Sequence, residues 1–160
     1  AIVEKAAYTA IKTGKDVQIN RGIVIGKRLG MLTITLPSGR TICYQRVGIG
    51  EESDRWRESR EVIEYEGLNQ TTKKWGTIRT YGGKLVENIV QAIARDILGI
   101  VILRARDLDV VFHIHDEIIV EAKPGQTLQS VEALFSEPIA WCQDLPLKGA
   151  GYSTPYYLKD

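Results

Sequence analysis

The sequence predicts an α+β fold, an antiparallel sheet packed against helices, and three observations carry that expectation. Apolar residues recur at helical spacing in the first thirteen residues and again, over a longer run, from Lys84 to Arg104. Strand-type alternation interrupted by turn residues marks one hairpin around Pro37-Ser38-Gly39. A second marks Asp109 to Ala122.

The opening segment, Ala1 to Thr13, places Ile2, Val3, Ala6, Ala7, Ala10 and Ile11 on one side, and Gly14 is its stop signal. The chain begins without Met, already inside this helix, and so reads as a piece of a longer protein. From Val17 to Tyr44 the character is β. Leu32, Ile34 and Leu36 alternate with Thr33 and Thr35, and the alternation resumes at Thr41 after the Pro-Ser-Gly turn. Between Glu51 and Glu66 seven acids face three bases, with Trp56 among them, and this stretch reads as a solvated connector entering a strand at Val62 to Tyr65. The balance then reverses. Leu68 to Val86 holds no acid but has Lys73, Lys74, Arg79 and Lys84, with Trp75 and Tyr81 interleaved. Such a stretch is either a solvated loop or a phosphate-contacting surface, and the loop is the simpler expectation.

In the long helix, Leu85, Ile89, Ile93 and Ile97 repeat every four residues and are flanked by Val86, Val90 and Ile100, a wide apolar face that requires cover. Glu87, Gln91 and Arg95 form the opposite stripe, with Lys84 and Asn88 beside it. Further on, Val110, Phe112 and Ile114 alternate with Val111, His113 and His115, and Ile118-Ile119-Val120 follows the pair Asp116-Glu117, so both carboxylates are expected at the turn. A short helix near Leu128 to Phe135, a Pro138-bounded segment with Trp141, and an irregular Gly/Pro/Tyr-rich end complete the chain. Residues 1–66 thus read as an N-terminal helix with a small antiparallel β region, and 67–160 as a second segment built on the long helix and the acidic hairpin.

Composition narrows the function classes. The 160 residues are 44% hydrophobic with a formal net charge of +1, enough for a real core and without a global pull toward nucleic acid. Cys43 and Cys142 lack paired-cysteine spacing, which argues against a zinc ribbon or disulfide scaffold; both read as half-buried thiols in a reducing cytosol. No apolar run approaches the roughly 20 residues that span a bilayer, and no signal-peptide pattern opens the chain.

Two adjacent carboxylates on a hairpin tip are hard-oxygen ligands suited to Mg²⁺, which takes one or two protein carboxylates and completes its shell with water and phosphate oxygens. His113 and His115 share a strand face and offer zinc as the competing metal, but they are the only histidines and no third ligand follows at a recognisable spacing. An acidic turn with no metal at all is the third reading.

The string Val111-Phe112-His113-Ile114-His115-Asp116-Glu117-Ile118-Ile119-Val120-Glu121 closely resembles motif C of the family A DNA polymerases. Upstream, Tyr81-Gly82-Gly83-Lys84-Leu85-Val86-Glu87-Asn88-Ile89-Val90-Gln91-Ala92-Ile93-Ala94-Arg95-Asp96 is similar to the helix that precedes motif C in bacteriophage and prophage members. Their order and separation also match. The resemblance implies a C-terminal palm segment, with a palm-like antiparallel sheet containing the motif C hairpin and backed by the long helix. It assigns Asp116 to catalytic metal binding and Glu117 to the acidic neighbour that organises metal or water. His115 would contact the primer end and Gln91 the duplex near the primer-template junction, with Lys84, Asn88 and Arg95 as further DNA contacts. The implied cofactor is a pair of Mg²⁺ ions, and the implied partners are primer-template DNA and dNTP, in the cytoplasm of a bacterial host.

The family's motif A aspartate and its fingers helix of the Arg-x₃-Lys-x₆-Tyr-Gly type are both missing from this sequence; Asp16 and Asp54 stand in other contexts. The resemblance therefore implies that nucleotidyl transfer needs upstream polymerase segments and that the chain alone does not polymerise DNA. A sheet edge left unpaired without motif A would invite self-association. Two alternatives stand beside this reading: a non-catalytic nucleic-acid-binding module, and a metal-dependent hydrolase using His113, His115 and Asp116.

Overall fold

The computed structural model describes residues 2–54 and 57–158, with the backbone alone at 54, 57 and 58; Trp56 and the side chain of Asp54 lie outside the described residues. The chain divides into two compact units, residues 1–93 and 94–160. The division falls inside a helix, whereas Glu66, where composition suggests a boundary, lies within a strand.

The first unit starts with helix α1 (Ile2–Thr13), followed by strands β1 (Val17–Gln18), β2 (Val24–Arg28), β3 (Met31–Thr35), β4 (Thr41–Asp54), β5 (Arg57–Leu68) and β6 (Trp75–Thr80). The six strands form one antiparallel sheet in sequential order, each paired with the next. Gly14 takes a positive φ of 70° and its N–H caps α1 by donating to Ala10 O at 2.9 Å. Gly39, at φ 88°, closes the Pro-Ser-Gly turn as expected.

Strand β4 changes partner along its length. Thr41 to Tyr44 pairs with β3, and from Gln45 onward it pairs with β5 across a register shift between Gln45 and Gly48. At that bulge Arg46 has φ 46°, and Val47 donates its N–H to Gly30 O at 2.9 Å.

The main sheet differs from expectation in place and size. It is built from residues 17–80, and the acidic hairpin forms a separate two-stranded sheet. The expected acidic connector is strand at 51–54 and 57–61, continuous with the strand expected at Val62 to Tyr65, and the expected basic loop is β6 after a short turn. Ion pairs across the sheet, and one from α1, explain both. Arg60 holds Glu52 opposite it, Arg79 Nε meets Glu64 Oε1 at 2.9 Å, Arg46 reaches Glu66 at 3.1 Å, and Lys12 reaches Glu61 at 2.6 Å. The Arg60 hydrogen bond holds the Glu52 carboxyl below its ordinary pKa.

One face of the sheet carries the core. Ile25, Leu32, Ile34, Leu36, Tyr44, Val47 and Ile63 are buried together with Ala6, Ala7, Ala10 and Ile11 of α1 and with Leu85 and Ile89 of α2 (Gly82–Arg104). The small alanines let α1 lie close. Glu4 Oε1 accepts the N–H of Gly82 at 3.0 Å, and a side chain at position 82 would meet Glu4 Cβ at 2.7 Å. The apolar face of α2 is covered less widely than its sequence suggests, since Val86 is exposed and Val90 is 58% exposed.

The second unit holds the last turns of α2, hairpin β7 (Asp109–Ile114) and β8 (Glu117–Glu121), and helix α3 (Leu128–Ser136). Its buried residues include Leu98, Val101, Ala105 and Ile139. Thr127 caps α3 through a hydrogen bond from Ser130 N at 3.2 Å. Arg104, whose side chain is only 17% exposed, gathers the end of α3 and the residues after it: it donates to Leu134 O at 2.8 Å, Glu137 O at 3.0 Å and Pro138 O at 2.8 Å, and pairs with the Glu137 carboxylate at 3.2 Å. Cys142 is half-buried, which raises its thiol pKa, but Cys43 is exposed, against expectation; both are free. Among the described residues no helix is long and apolar enough to cross a membrane.

Two stability predictions follow from the half-buried Arg104 guanidinium and the buried Thr80 hydroxyl. Arg104→Ala strands three carbonyls and should cost about 2–4 kcal/mol in urea denaturation, whereas Arg104→Lys should recover only part, because one ammonium cannot reproduce the guanidinium fork. The Thr80 hydroxyl is buried with no hydrogen-bond partner among the described residues, so Thr80→Val should stabilise by about 1 kcal/mol. A destabilised valine variant would mean that the hydroxyl has a partner after all.

Candidate functional site

The acidic hairpin is built from alternation and a tight turn. Ile114 pairs with Glu117, leaving His115 and Asp116 as a two-residue connection. His115 takes φ 48°, the left-handed conformation that primed hairpin turns need at a central position and that His tolerates better than a β-branched residue. Asp116 therefore stands in the turn. Glu117 opens β8, one position further than the expectation that both acids belong to the turn.

The consequence is exposure. His113, His115, Asp116 and Glu117 are all solvent-exposed, and no residue of β7 or β8 is fully buried. A register shift between Val110 and Phe112 bulges β7, and the ring of Phe112 packs edge-on against Tyr157 of the tail at 5.2 Å. Asp109 at the base of the hairpin pairs with Lys123 at 2.8 Å. Among the described residues no three His, Cys, Asp or Glu side chains converge in a way that could hold a metal ion. What the hairpin offers is one adjacent carboxylate pair, Asp116 and Glu117, open to solvent and to any group that approaches.

The other predicted residues lie along α2. Lys84 is exposed and donates to both carboxylate oxygens of Glu87, at 2.8 and 2.9 Å; that hydrogen bond raises the lysine pKa. Gln91, also exposed, donates to the same carboxylate at 3.3 Å. Arg95 is exposed and makes no ion pair among the described residues. Asn88 differs: it is half-buried, and its Nδ2 donates to the Tyr44 hydroxyl at 2.8 Å. The structure thus gathers Lys84 and Gln91 around Glu87 and turns Asn88 toward the sheet. Glu87 is the residue that spacing undervalued, although its i+3 and i+4 relations to Lys84 and Gln91 were the available signal. The Asn88–Tyr44 contact had none, because its partner lies 44 residues earlier.

Tyr44 links this helix to the core. Its ring meets Tyr65 edge-on at 5.0 Å, and burial pushes its phenol pKa up, partly offset by the Asn88 hydrogen bond. A phenol whose folded pKa is raised stabilises the fold fully below its unfolded value and loses that contribution as pH climbs past about 10. Tyr44→Phe should cost about 1 kcal/mol near neutrality by leaving Asn88 without its acceptor. It should also flatten the loss of stability between about pH 9 and pH 11, leaving the slopes of Tyr8 and Lys84, which are raised as well. Urea midpoints across that range test both statements, and an unchanged alkaline slope would contradict the assignment to Tyr44.

Comparison with known proteins finds the chain 43% identical, over 161 aligned positions and 99% of its length, to a protein named DNA polymerase from Bacillus phage SP02. The chain spans 24% of the length of that relative. No family model matches the chain, and no solved structure matches it.

Proposed function

We propose that this chain is the C-terminal part of a phage-type family A DNA-directed DNA polymerase, contributing the motif C carboxylates to nucleotidyl transfer from a dNTP to a primer 3′-hydroxyl. The observation that carries this reading is the exposed Asp116, set in a two-residue hairpin turn beside Glu117, in a chain 43% identical along nearly its whole length to a phage DNA polymerase.

The chemistry of the donor set fits Mg²⁺, which needs only one or two protein carboxylates and shares its remaining positions with water and substrate phosphate. In this proposal Asp116 is the principal ligand and Glu117 supports it, and the ions supply charge stabilisation to the attacking and leaving oxygens. Because this chain offers one carboxylate pair, the partner ligand comes from polymerase segments outside it, as does the triphosphate-binding helix. His115, held next to Asp116 by the turn, is placed to contact the primer end once those segments are present. Gln91, Lys84 and Arg95 present donors along α2 to the DNA backbone, and the exposed Lys84–Glu87 pair is weak enough for a phosphate to displace. Asn88 acts more as a brace between α2 and the sheet than as a contact.

Strands β7 and β8 pair only with each other among the described strands, which leaves hydrogen-bonding edges. The same reading assigns them to a palm sheet completed by the rest of the polymerase, with a second copy of the chain as the competing occupant when that polypeptide is absent. The site of action is the cytoplasm of the infected bacterium.

Primer extension with dNTPs and Mg²⁺ tests the proposal, comparing this chain alone, a polymerase that includes it, and that polymerase carrying Asp116→Ala. The chain alone should not extend a primer. The longer protein should, and Asp116→Ala should lower its rate by at least about a hundredfold, a loss typical of deleting one preorganised electrostatic group. Since Asp116 is exposed and supports no core, the substituted protein should fold normally. Extension by the Asp116→Ala enzyme at the unsubstituted rate would refute the assignment.

A further inference from the structure

Of the four cations in the acid-free stretch from Leu68 to Val86, two are already neutralised. Arg79 lies between Glu64 and Glu52, and Lys84 is bound by Glu87. Lys73 and Lys74 are exposed and make no ion pair among the described residues. They sit in the turn joining β5 to β6, followed at once by Trp75, which is 60% exposed. In the adjoining sheet Arg28, Arg46, Arg60 and Arg79 each meet a carboxylate, whereas these two lysines beside the aromatic surface meet none among the described residues.

The turn is also preorganised. Asn69 Oδ1 accepts the N–H groups of Thr71 and Thr72 at 2.9 and 3.0 Å. Asn69 and Lys74 close the loop through a backbone bond of 2.9 Å, and Lys73 donates its N–H to Asn69 O at 2.8 Å. Lys73 adopts φ 56°, a left-handed conformation that Gly or Asn would take more easily, yet the position carries a long cation. On the same face, Glu66 lies 3.5 Å from the Trp75 indole nitrogen, but its charge is matched by Arg46 at 3.1 Å.

We propose that the β5–β6 turn is a contact for single-stranded DNA, with Lys73 and Lys74 meeting successive phosphates and the Trp75 ring stacking on an unpaired base. Free cations beside an exposed aromatic ring are the combination that binds single strands without reading sequence. A duplex, whose bases already stack on one another, gives the ring nothing to engage. The proposal deepens the polymerase reading by naming an unpaired strand as a ligand, and it rests on that reading only for the identity of the nucleic acid.

The test is fluorescence anisotropy of the full chain with a labelled oligothymidylate of about 16 nucleotides, the upper site size of a single-strand module, and with a duplex of equal length, each over a range of salt. Joint substitution Lys73→Gln and Lys74→Gln should weaken single-strand binding about tenfold at low salt and lower the slope of log affinity against log salt by about 1.4, two contacts at roughly 0.7 each. Trp75→Ala should weaken single-strand binding about tenfold and leave duplex binding unchanged, with Trp75→Phe retaining part of the affinity. Lys5→Gln with Lys15→Gln removes the same charge elsewhere and should change affinity less than about twofold. Wild-type affinity and slope in the Lys73/Lys74 variant, or no binding by the unsubstituted chain at low salt, would overturn the proposal. Failed primer extension alongside lysine-dependent binding would remove the polymerase reading and leave this contact standing.

Discussion

Covering one face of the six-stranded sheet is the constraint on which the first unit depends. Ile25, Leu32, Ile34 and Ile63 are each essentially removed from water, and burial of such a side chain stabilises by about 1.5–3 kcal/mol. That face can be closed only if a helix lies tightly against it, which Ala6, Ala7 and Ala10 permit, and if the first turns of α2 add Leu85 and Ile89. Polar bonds then hold the cover in position. Glu4 takes the first free N–H of α2, Asn88 reaches Tyr44, and Arg40 donates to Ala92 O at 2.7 Å. Because these contacts set the rotation of α2, Lys84 and Gln91 are left on its solvent side.

The second unit works differently. Its organiser is a cation, Arg104, whose fork ties the end of α3 and the residues after it to the end of α2. The acidic hairpin draws little from a core: Val111 is 59% exposed, and a two-stranded ribbon is only marginally stable by itself. The position of Asp116 is accordingly fixed by turn geometry, through the left-handed His115 and the Ile114–Glu117 pairing, more than by packing. A carboxylate held in this way is accessible from several directions, as the proposed sharing of a metal with residues from elsewhere would require.

Much of the charge on the six-stranded sheet is matched within the fold. The long β4–β5 ribbon is rich in acids, yet Arg60, Arg79, Arg46 and Lys12 answer four of them, so the ribbon presents little net field there. Against that background the unmatched Lys73 and Lys74 stand out more than a net charge of +1 would suggest. Where cations lack carboxylate partners is a better guide to nucleic-acid contact than how many cations there are.

Sequence by itself determined the local elements: α1 with its Gly14 stop, the Pro-Ser-Gly hairpin, the long helix, the acidic hairpin and α3. Each is written in a periodicity or a turn signal spanning neighbouring residues, and the free energy that forms it is largely local or depends only on one face being apolar. The carboxylate pair Asp116-Glu117 was legible for the same reason, as an interruption in an alternating apolar run. Tertiary structure alone decided that 51–54, 57–61 and 75–80 are strands, since their charges are stabilised largely by partners across the sheet that no local window contains. It also decided that Asn88 faces Tyr44 while Val90 faces solvent, and that Lys84 is bound while Lys73 is free. Those outcomes depend on which distant side chains the sheet brings alongside, and spacing along one helix or strand carries no record of them.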